Sequence, residues 1–221
     1  MRCDPVVKIK ICGFTRGEDV KAACSLGVDM VGVILVPKSP RYVPLERAGQ
    51  ILKAAGEGTA KVAVFIPRGP RDVEEIYRKL EPDYLQFHLT FPAEELLEIK
   101  EEIEAETIVV VPVPPEIERT MDIVDRAIEV AEVADFISID TKGPTGGGTG
   151  LTHNWNLSAV IRDAVDKPVF LAGGLNPSNV GDAIKIVRPY GVDVATGVES
   201  IPGRKDSKLM REFIEAARGA K

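Results

Sequence analysis

Eight short apolar runs alternate along this chain with segments of helical periodicity, and this alternation constrains the fold more than any other feature. Regular succession of strand and helix is typical of parallel β-sheets, because the crossover returns the chain over one face of the sheet. Eight such units in 221 residues predict a single (β/α)8 barrel over residues 1–221, since a closed barrel leaves no sheet edge. A doubly wound open sheet is the alternative, but its G-x-G-x-x-G fingerprint is missing after the first strand.

The elements are predicted from apolar runs for strands and from spacings of three and four residues for helices. Strands are expected at residues 8–12, 30–36, 61–66, 84–88, 107–113, 135–140, 169–172 and 192–195. Helices are expected at about residues 17–26, 45–55, 71–80, 93–104, 117–133, 154–165 and 206–217, with one more between strands seven and eight. Thr15 is expected to cap the first helix, and Asn176 followed by Pro177 to begin the seventh.

Glycine stops the seventh and eighth strands and leaves the backbone open to a ligand. Gly173 and Gly174 follow the seventh strand, and Thr196 and Gly197 follow the eighth. Backbone N–H groups that no side chain covers bind anions well, and late strand ends of a (β/α)8 barrel are a common phosphate site. These four residues are therefore predicted to form a phosphate cradle, with two ordinary glycine turns as the alternative.

Composition excludes several classes of protein. A 44% hydrophobic chain without an apolar run of membrane length, and without a basic-then-apolar leader, is expected to be soluble and cytoplasmic. A net charge of −6 argues against a nucleic-acid-binding face. Cys3, Cys12 and Cys24 lack C-x-x-C spacing and predict no disulfide framework. His88 and His153 have no second histidine at ligand spacing, so no metal site is expected.

Two side chains at predicted strand ends suit acid–base chemistry. Cys12 ends the first strand, where a partly exposed thiolate can accept a proton, although a buried cysteine in this position is often only a small apolar group. Asp140 ends the sixth strand, where a carboxylate is costly unless it is paired or used. Its alternatives are a helix cap or a salt bridge with Lys142. The glycine-rich segment 143–150 that follows is either a spacer or a lid.

Two further residues are candidates for substrate binding. Arg41 lies in a rigid proline loop, where its planar guanidinium can neutralise a carboxylate or a phosphate, although a plain surface arginine is the alternative. His88 ends the fourth predicted strand and would face the same end of the barrel.

Several short motifs occur in one order along the whole chain. They are KICG at 10–13, PKSPRY at 37–42, DTK at 140–142, GGTG at 147–150, LAGGLNP at 171–177, VDVATGVE at 192–199, PG at 202–203 and KD at 205–206. As a set they resemble the phosphoribosylanthranilate isomerase family of tryptophan biosynthesis.

The resemblance implies a cofactor-independent (β/α)8 barrel that catalyses an Amadori rearrangement of a phosphorylated aminoaldose into an aminoketose. Asp140 matches the family's general acid, which opens the ribose ring, and Cys12 matches its general base, which removes the C2′ proton. Arg41 matches a residue that faces the anthranilate carboxylate, and the four residues of the cradle match its phosphate site. His88 matches the histidine of the family's Q-L-H-G motif.

The chain departs from the family pattern at three places. Leu89 replaces the glycine of Q-L-H-G, His153 and Asn154 replace Phe-Asp before a tryptophan, and Ala195 replaces the first serine of a Ser-Ser pair. None of them touches the predicted acid or base, so the departures bear on substrate geometry rather than on the reaction.

Other functions stay open at this point. A lyase or an epimerase on the same scaffold would be expected to carry catalytic lysine and glutamate or metal-binding histidines. A barrel that only binds a phosphorylated ligand would need neither Cys12 nor Asp140. The sequence does not distinguish a monomer from a homodimer, nor exclude a second aminoaldose substrate.

Overall fold

The fold is a closed barrel of parallel strands, as predicted, and the open doubly wound sheet is excluded. The computed structural model describes residues 6–87, 93–114, 120–141 and 150–220. Eight strands pair in chain order, and β8 closes the ring by pairing with β1. They are β1 (Lys8–Cys12), β2 (Met30–Ile34), β3 (Ala60–Phe65), β4 (Tyr84–Phe87), β5 (Glu106–Val113), β6 (Phe136–Thr141), β7 (Val169–Leu171) and β8 (Gly191–Val194).

Helices follow the strands and cover the outer face of the barrel. They are α1 (Gly17–Ser25), α2 (Leu45–Leu52), α3 (Pro70–Leu80), α4 (Ala93–Glu102), α5 (Thr120–Val133), α6 (Trp155–Ala164), α7 (Val180–Val187) and α8 (Ser207–Gly219). Their apolar stripes pack on the outward-facing side chains of the strands and form the larger part of the core. None of the helices among the described residues has the length and apolar character needed to span a membrane.

Two predicted helix starts were wrong. Arg16, rather than Thr15, is the N-cap of α1, and the Thr15 hydroxyl instead donates to the carbonyl of Gly203 at 2.6 Å. Asn176 does not cap α7, because the segment after Pro177 forms a turn in which Asn176 Oδ1 accepts from the backbone N–H of Ser178 at 2.8 Å. This turn is stabilised by its own side chains, so α7 begins only at Val180.

A short hairpin after β8 was not predicted. Its strands are β9 (Glu199–Ile201) and β10 (Arg204–Lys205), and their pairing is antiparallel. Two- and three-residue strands leave too few alternating positions to be recognised from sequence. The hairpin brings Glu199 and Lys205 back over the carboxyl end of the barrel.

The interior of the barrel changes character along its axis. At the amino end of the strands, the ring of Phe136 contacts the rings of Tyr84 and Phe170, at centroid distances of 5.5 and 5.9 Å. Phe170 also contacts Tyr190 at 5.4 Å. These edge-to-face and tilted ring contacts fill this end of the barrel. Toward the carboxyl end the interior side chains become polar, and a cavity opens.

Candidate active site

A cavity of about 130 Å³ lies at the carboxyl end of the strands, where (β/α)8 barrels carry their active sites. Residues from seven of the eight strands, or from the loops directly after them, contribute to it. They include Cys12, Arg41, Asp140, Gly173, Gly174, Asp193, Thr196 and Gly197. The cavity thus brings together every predicted site residue that the structure describes.

Cys12 reaches the cavity from the last position of β1. Its side chain is buried, and a Cβ added at Gly32 on the neighbouring β2 would stand 2.9 Å from Sγ. Burial is the largest influence on the pKa of the Cys12 thiol and raises it. Lys10 and Lys205 oppose this rise, because their positive charges favour the thiolate, whereas Asp193 adds to it. The thiol is both a buried group and a part of the cavity wall.

Asp140 stands on β6, across the barrel from β1, and borders the same cavity. Burial raises the pKa of its carboxyl to about 7, and the negative charge of Asp193 contributes to the shift. A carboxyl group with this pKa holds its proton at neutral pH far more often than an ordinary aspartate does. Lys142, the predicted partner of Asp140 in the alternative interpretation, lies outside the described residues.

An ion pair that sequence reasoning missed lies beneath these two groups. Lys10 Nζ donates to Asp193 Oδ2 at 2.6 Å, and the two side chains are 1% and 9% exposed. Burial opposes the charge on Lys10, but Asp193 and Cys12 outweigh it and raise the pKa of Lys10. The signal was present, because alternation along β1 places Lys10 on the same inward face as Cys12.

Arg41 is buried rather than on the surface, so the surface alternative was wrong. Its Nε and Nη2 donate to the two carboxylate oxygens of Glu199 at 2.8 and 2.7 Å, and Nη2 also donates to Thr196 Oγ1 at 2.9 Å. A bidentate contact of this kind fixes the plane of the guanidinium. Lys205 Nζ donates to Glu199 Oε1 at 2.9 Å and to the carbonyl of Ala195 at 3.0 Å. No short-range pattern links Arg41 with the distant Glu199 and Lys205, so the sequence analysis included both in motifs but assigned neither a place in the site.

Arg41, Glu199 and Lys205 form a charged network in which the two cations stabilise the Glu199 carboxylate. Burial opposes ionisation of Glu199, but Arg41 and Lys205 outweigh it and lower the pKa of the Glu199 carboxyl. Burial lowers the pKa of Lys205. Gly13 has φ +79°, and a Cβ there would collide with the Arg41 side chain, so glycine is required for the guanidinium to reach the cavity.

The predicted cradle residues gather on one side of the cavity. Gly173 and Gly174 have φ values of +87° and +66°, which favour glycine. An added Cβ would collide with Thr141 at Gly173 and with the Leu151 carbonyl at Gly174. A Cβ at Gly197 would likewise collide with the Leu175 carbonyl. The close approach of backbone to backbone therefore depends on all three glycines.

A buried histidine contacts the residue next to Asp140. His153 Nδ1 is 2.8 Å from Thr141 Oγ1, and Nε2 is 2.6 Å from Ser158 Oγ. Burial lowers the pKa of this imidazole to about 4, so it is neutral at physiological pH. Its contacts hold the residue that directly follows Asp140. Asn154, also a departure from the family pattern, caps α6 by accepting from the Asn156 backbone N–H at 3.0 Å.

Two predicted features lie outside the described residues. They are His88 with the neighbouring Leu89, and the glycine-rich segment 143–150 up to residue 149.

Comparison with known proteins identifies the family. Residues 9–216 match the family model for N-(5′-phosphoribosyl)anthranilate (PRA) isomerase. The N-(5′-phosphoribosyl)anthranilate isomerase of Haloferax volcanii is 40% identical over 221 residues, which cover 98% of this chain and 95% of that protein. The protein of the same name from Methanocaldococcus jannaschii is 39% identical over 221 residues, which cover 96% of this chain and 97% of that protein.

Solved structures agree with these relatives. The crystal structure of phosphoribosyl anthranilate isomerase from Thermotoga maritima superposes with a TM-score of 0.86 at 36% identity, covering 96% of this chain and 99% of that one. A phosphoribosyl anthranilate isomerase in complex with reduced 1-(o-carboxyphenylamino)-1-deoxyribulose 5-phosphate gives a TM-score of 0.83 at 33% identity, with the same coverage of 96% and 99%. The chain therefore belongs to the N-(5′-phosphoribosyl)anthranilate isomerase family.

Proposed function

We propose that this protein converts N-(5′-phosphoribosyl)anthranilate into 1-(2-carboxyphenylamino)-1-deoxyribulose 5-phosphate, the third step from chorismate to tryptophan. The reaction is an Amadori rearrangement, an internal redox isomerisation in which C1′ is reduced and C2′ is oxidised. Proton transfers alone achieve it, so we propose general acid–base catalysis without metal or cofactor.

Asp140 is the proposed general acid. The ribose ring opens when the ring oxygen gains a proton and its bond to C1′ breaks, while the anthranilate nitrogen forms a double bond to C1′. A carboxyl group with a pKa of about 7 retains a proton to donate at neutral pH, which an ordinary aspartate does not. Its position on the cavity wall supports this role.

Cys12 is the proposed general base. Removal of the C2′ proton from the ring-opened Schiff base leaves an enolamine, which gains a proton at C1′ and loses the proton of its C2′ hydroxyl to become the ketone. The base must be the thiolate, since a neutral thiol is too weak a base to remove a proton from carbon. Cys12 and Asp140 stand on β1 and β6, which are separated by β7 and β8 around the barrel, and both line the cavity in which a sugar would lie.

The remaining cavity residues are proposed to hold the two anionic ends of the substrate. Gly173, Gly174, Thr196 and Gly197 offer backbone N–H groups for the phosphate. Arg41 is proposed to face the anthranilate carboxylate, since its hydrogen bonds to Glu199 and Thr196 are made by Nε and Nη2 rather than Nη1. His88 stays a proposed substrate contact by family resemblance.

The observation that carries the proposal is that Cys12 and Asp140 line one cavity in a chain of this family. The test follows anthranilate fluorescence while the purified protein acts on freshly formed phosphoribosylanthranilate in the presence of a chelator. We expect a fast fluorescence decay, and a loss of about a hundred- to ten-thousandfold in rate in Cys12→Ala, the range for removal of a general base.

Cys24→Ala is the matched control, because Cys24 lies in α1 outside the cavity. A Cys24→Ala rate equal to that of the unmodified protein would show that loss of a thiol alone does not matter. Near-normal turnover in Cys12→Ala would remove Cys12 from the role of base, and absence of any decay in the unmodified protein would refute the proposed reaction.

A further inference from the structure

The proposed reaction requires a particular distribution of protons between Asp140 and Cys12. Ring opening requires the proton on Asp140, and removal of the C2′ proton requires the thiolate form of Cys12. The productive cavity thus holds one proton between the two groups, and that proton sits on Asp140. The arrangement with a thiol on Cys12 and a carboxylate on Asp140 has the same number of protons and is unproductive. Surrounding charges decide between two such arrangements.

The buried ion pair lies in the right place to decide it. Lys10 is two residues before Cys12 on β1, so both side chains point into the barrel. Asp193 is paired with Lys10 in the β1–β8 register and lines the cavity together with Cys12 and Asp140. Among the residues that the structure describes, Asp193 Oδ1 has no hydrogen-bond partner. One carboxylate oxygen is therefore held by Lys10, and the other is buried beside the cavity.

We propose that the Lys10–Asp193 ion pair consists of two positioning residues that shift the balance toward a proton on Asp140 and a negative charge on Cys12, against burial, which favours the thiol. This inference rests on the proposed function, because it assumes the roles of acid and base given above. The positive end of the pair stabilises a thiolate on its own strand. The negative end disfavours a second carboxylate in the same low-dielectric cavity.

The electrostatic influences on both groups agree with this assignment. After burial, Lys10 is the largest influence on the pKa of Cys12 and lowers it, which exceeds the opposite effect of Asp193. After burial, Asp193 is the largest influence on the pKa of Asp140 and raises it, which exceeds the opposite effect of Lys10. The pair is neutral as a whole, and it acts through the direction of its dipole.

The other charges near the two groups leave this argument unchanged. Lys205 also lowers the pKa of Cys12, but its ammonium is engaged with Glu199, which Arg41 shares. No charged residue of β2 faces Cys12, where Gly32 is the neighbour. Among the residues that the structure describes, Lys10 and Asp193 are the charged side chains that act on both Cys12 and Asp140.

The test compares two ion pairs that share one strand. Lys10→Met/Asp193→Asn removes both buried charges without leaving either alone. Lys8→Met/Asp29→Asn is the matched control, because the Lys8–Asp29 pair joins β1 to the residue before β2 at 2.9 Å while its side chains are 46% and 27% exposed. Cys12 is titrated by the pH dependence of its alkylation with iodoacetamide, read by mass spectrometry of its peptide. Asp140 is titrated by the infrared band of its carboxylic acid, assigned by its loss in Asp140→Asn.

We expect the thiol of the double variant to titrate at higher pH and the Asp140 carboxyl at lower pH. Alkylation of Cys12 at neutral pH should fall about tenfold, which corresponds to one unit of pKa. Loosening of the structure would act differently, because solvent entry lowers the pKa of both buried acids. Unchanged titrations, or shifts of both groups in one direction, would overturn the proposal.

Two measures keep the result decisive. Lys10→Gln/Asp193→Asn preserves a hydrogen bond between the side chains and carries the same expectation if the methionine variant does not fold. Both titrations are made without substrate, so they are read separately from the isomerase assay. The control pair should leave both titrations as they are in the unmodified protein.

Discussion

Aspartates occupy both ends of this barrel, and Asp135 at one end contrasts with Asp140 at the other. At the amino end, Asp29, Asp83 and Asp135 each come directly before an even-numbered strand. Each accepts a backbone N–H from the strand before, with distances of 2.9 Å from Ile9, 2.7 Å from Lys61 and 2.9 Å from Thr107. At the carboxyl end, Asp140 and Asp193 lie in the wall of the cavity.

The difference lies in solvation and hydrogen bonding, not in residue type. Burial works against the charge of Asp135, but hydrogen bonds from Lys100 and Thr107 outweigh it and lower the pKa of its carboxyl. At Asp140 burial prevails and raises the pKa to about 7. The amino end thus uses carboxylates to join neighbouring strands, whereas at the carboxyl end burial favours the protonated form of Asp140.

The largest expected effect separates the two ends by activity. Asp140→Asn should lower turnover about a hundred- to ten-thousandfold, because an amide cannot donate the proton that opens the ring. Asp135→Asn is the matched control, because Asp135 lies directly before the strand that carries Asp140. Its amide oxygen can still accept from the Thr107 backbone N–H. Its turnover should equal that of the unmodified protein in the fluorescence assay. Comparable losses in both variants would break the division between the ends.

The next effect concerns stability and has opposite signs at the two ends. Because the folded-state pKa of Asp140 lies above its ordinary value of 3.8, ionisation at this site costs stability as pH rises from about 4 to 7. Asp140→Asn should therefore be more stable than the unmodified protein above pH 7, and the gain should disappear in acid. Urea unfolding across this pH range measures it, and a loss of stability at neutral pH would contradict the assignment.

Asp135 should show the reverse dependence. Its lowered folded-state pKa contributes stability that is present above the ordinary value of 3.8 and is lost as pH falls through the folded-state pKa. Asp135→Ala removes the acceptor of the Thr107 backbone N–H and hydroxyl, at a cost of about 1–3 kcal/mol near pH 7. The same unfolding series measures the deficit, which should shrink below pH 4. A deficit independent of pH would show that packing, not charge, is responsible.

The smallest expected effect is at Asp29. Its ion pair with Lys8 is partly solvent-exposed, and ion pairs at the surface contribute about 0–1 kcal/mol. Asp29→Asn keeps an acceptor for the Ile9 backbone N–H, so the free energy of unfolding should change by less than about 1 kcal/mol. A larger loss would show that the Lys8–Asp29 charge interaction matters despite its exposure.

Much of the fold was predictable because its signals are local. The apolar runs identified all eight barrel strands, and their glycine and aspartate ends marked the edge at which the cavity lies. Cys12, Asp140 and Arg41 were predicted to lie at this edge from their places at strand ends or in a rigid loop, and all three line the cavity. The errors at Thr15 and Asn176 are also local, since each side chain took a competing hydrogen bond.

The partners of the site residues were not predictable, because they depend on closure of the ring. Alternation along β1 determines that Lys10 faces inward, but only the pairing of β8 with β1 places Asp193, 183 residues away, 2.6 Å from its ammonium. Arg41 likewise meets Glu199 across 158 residues, through a hairpin too short to be seen in sequence. The sequence by itself determined which side chains point into the barrel. The tertiary structure decided which charges meet there, because a buried charge takes its properties from neighbours that chain closure brings within hydrogen-bonding distance.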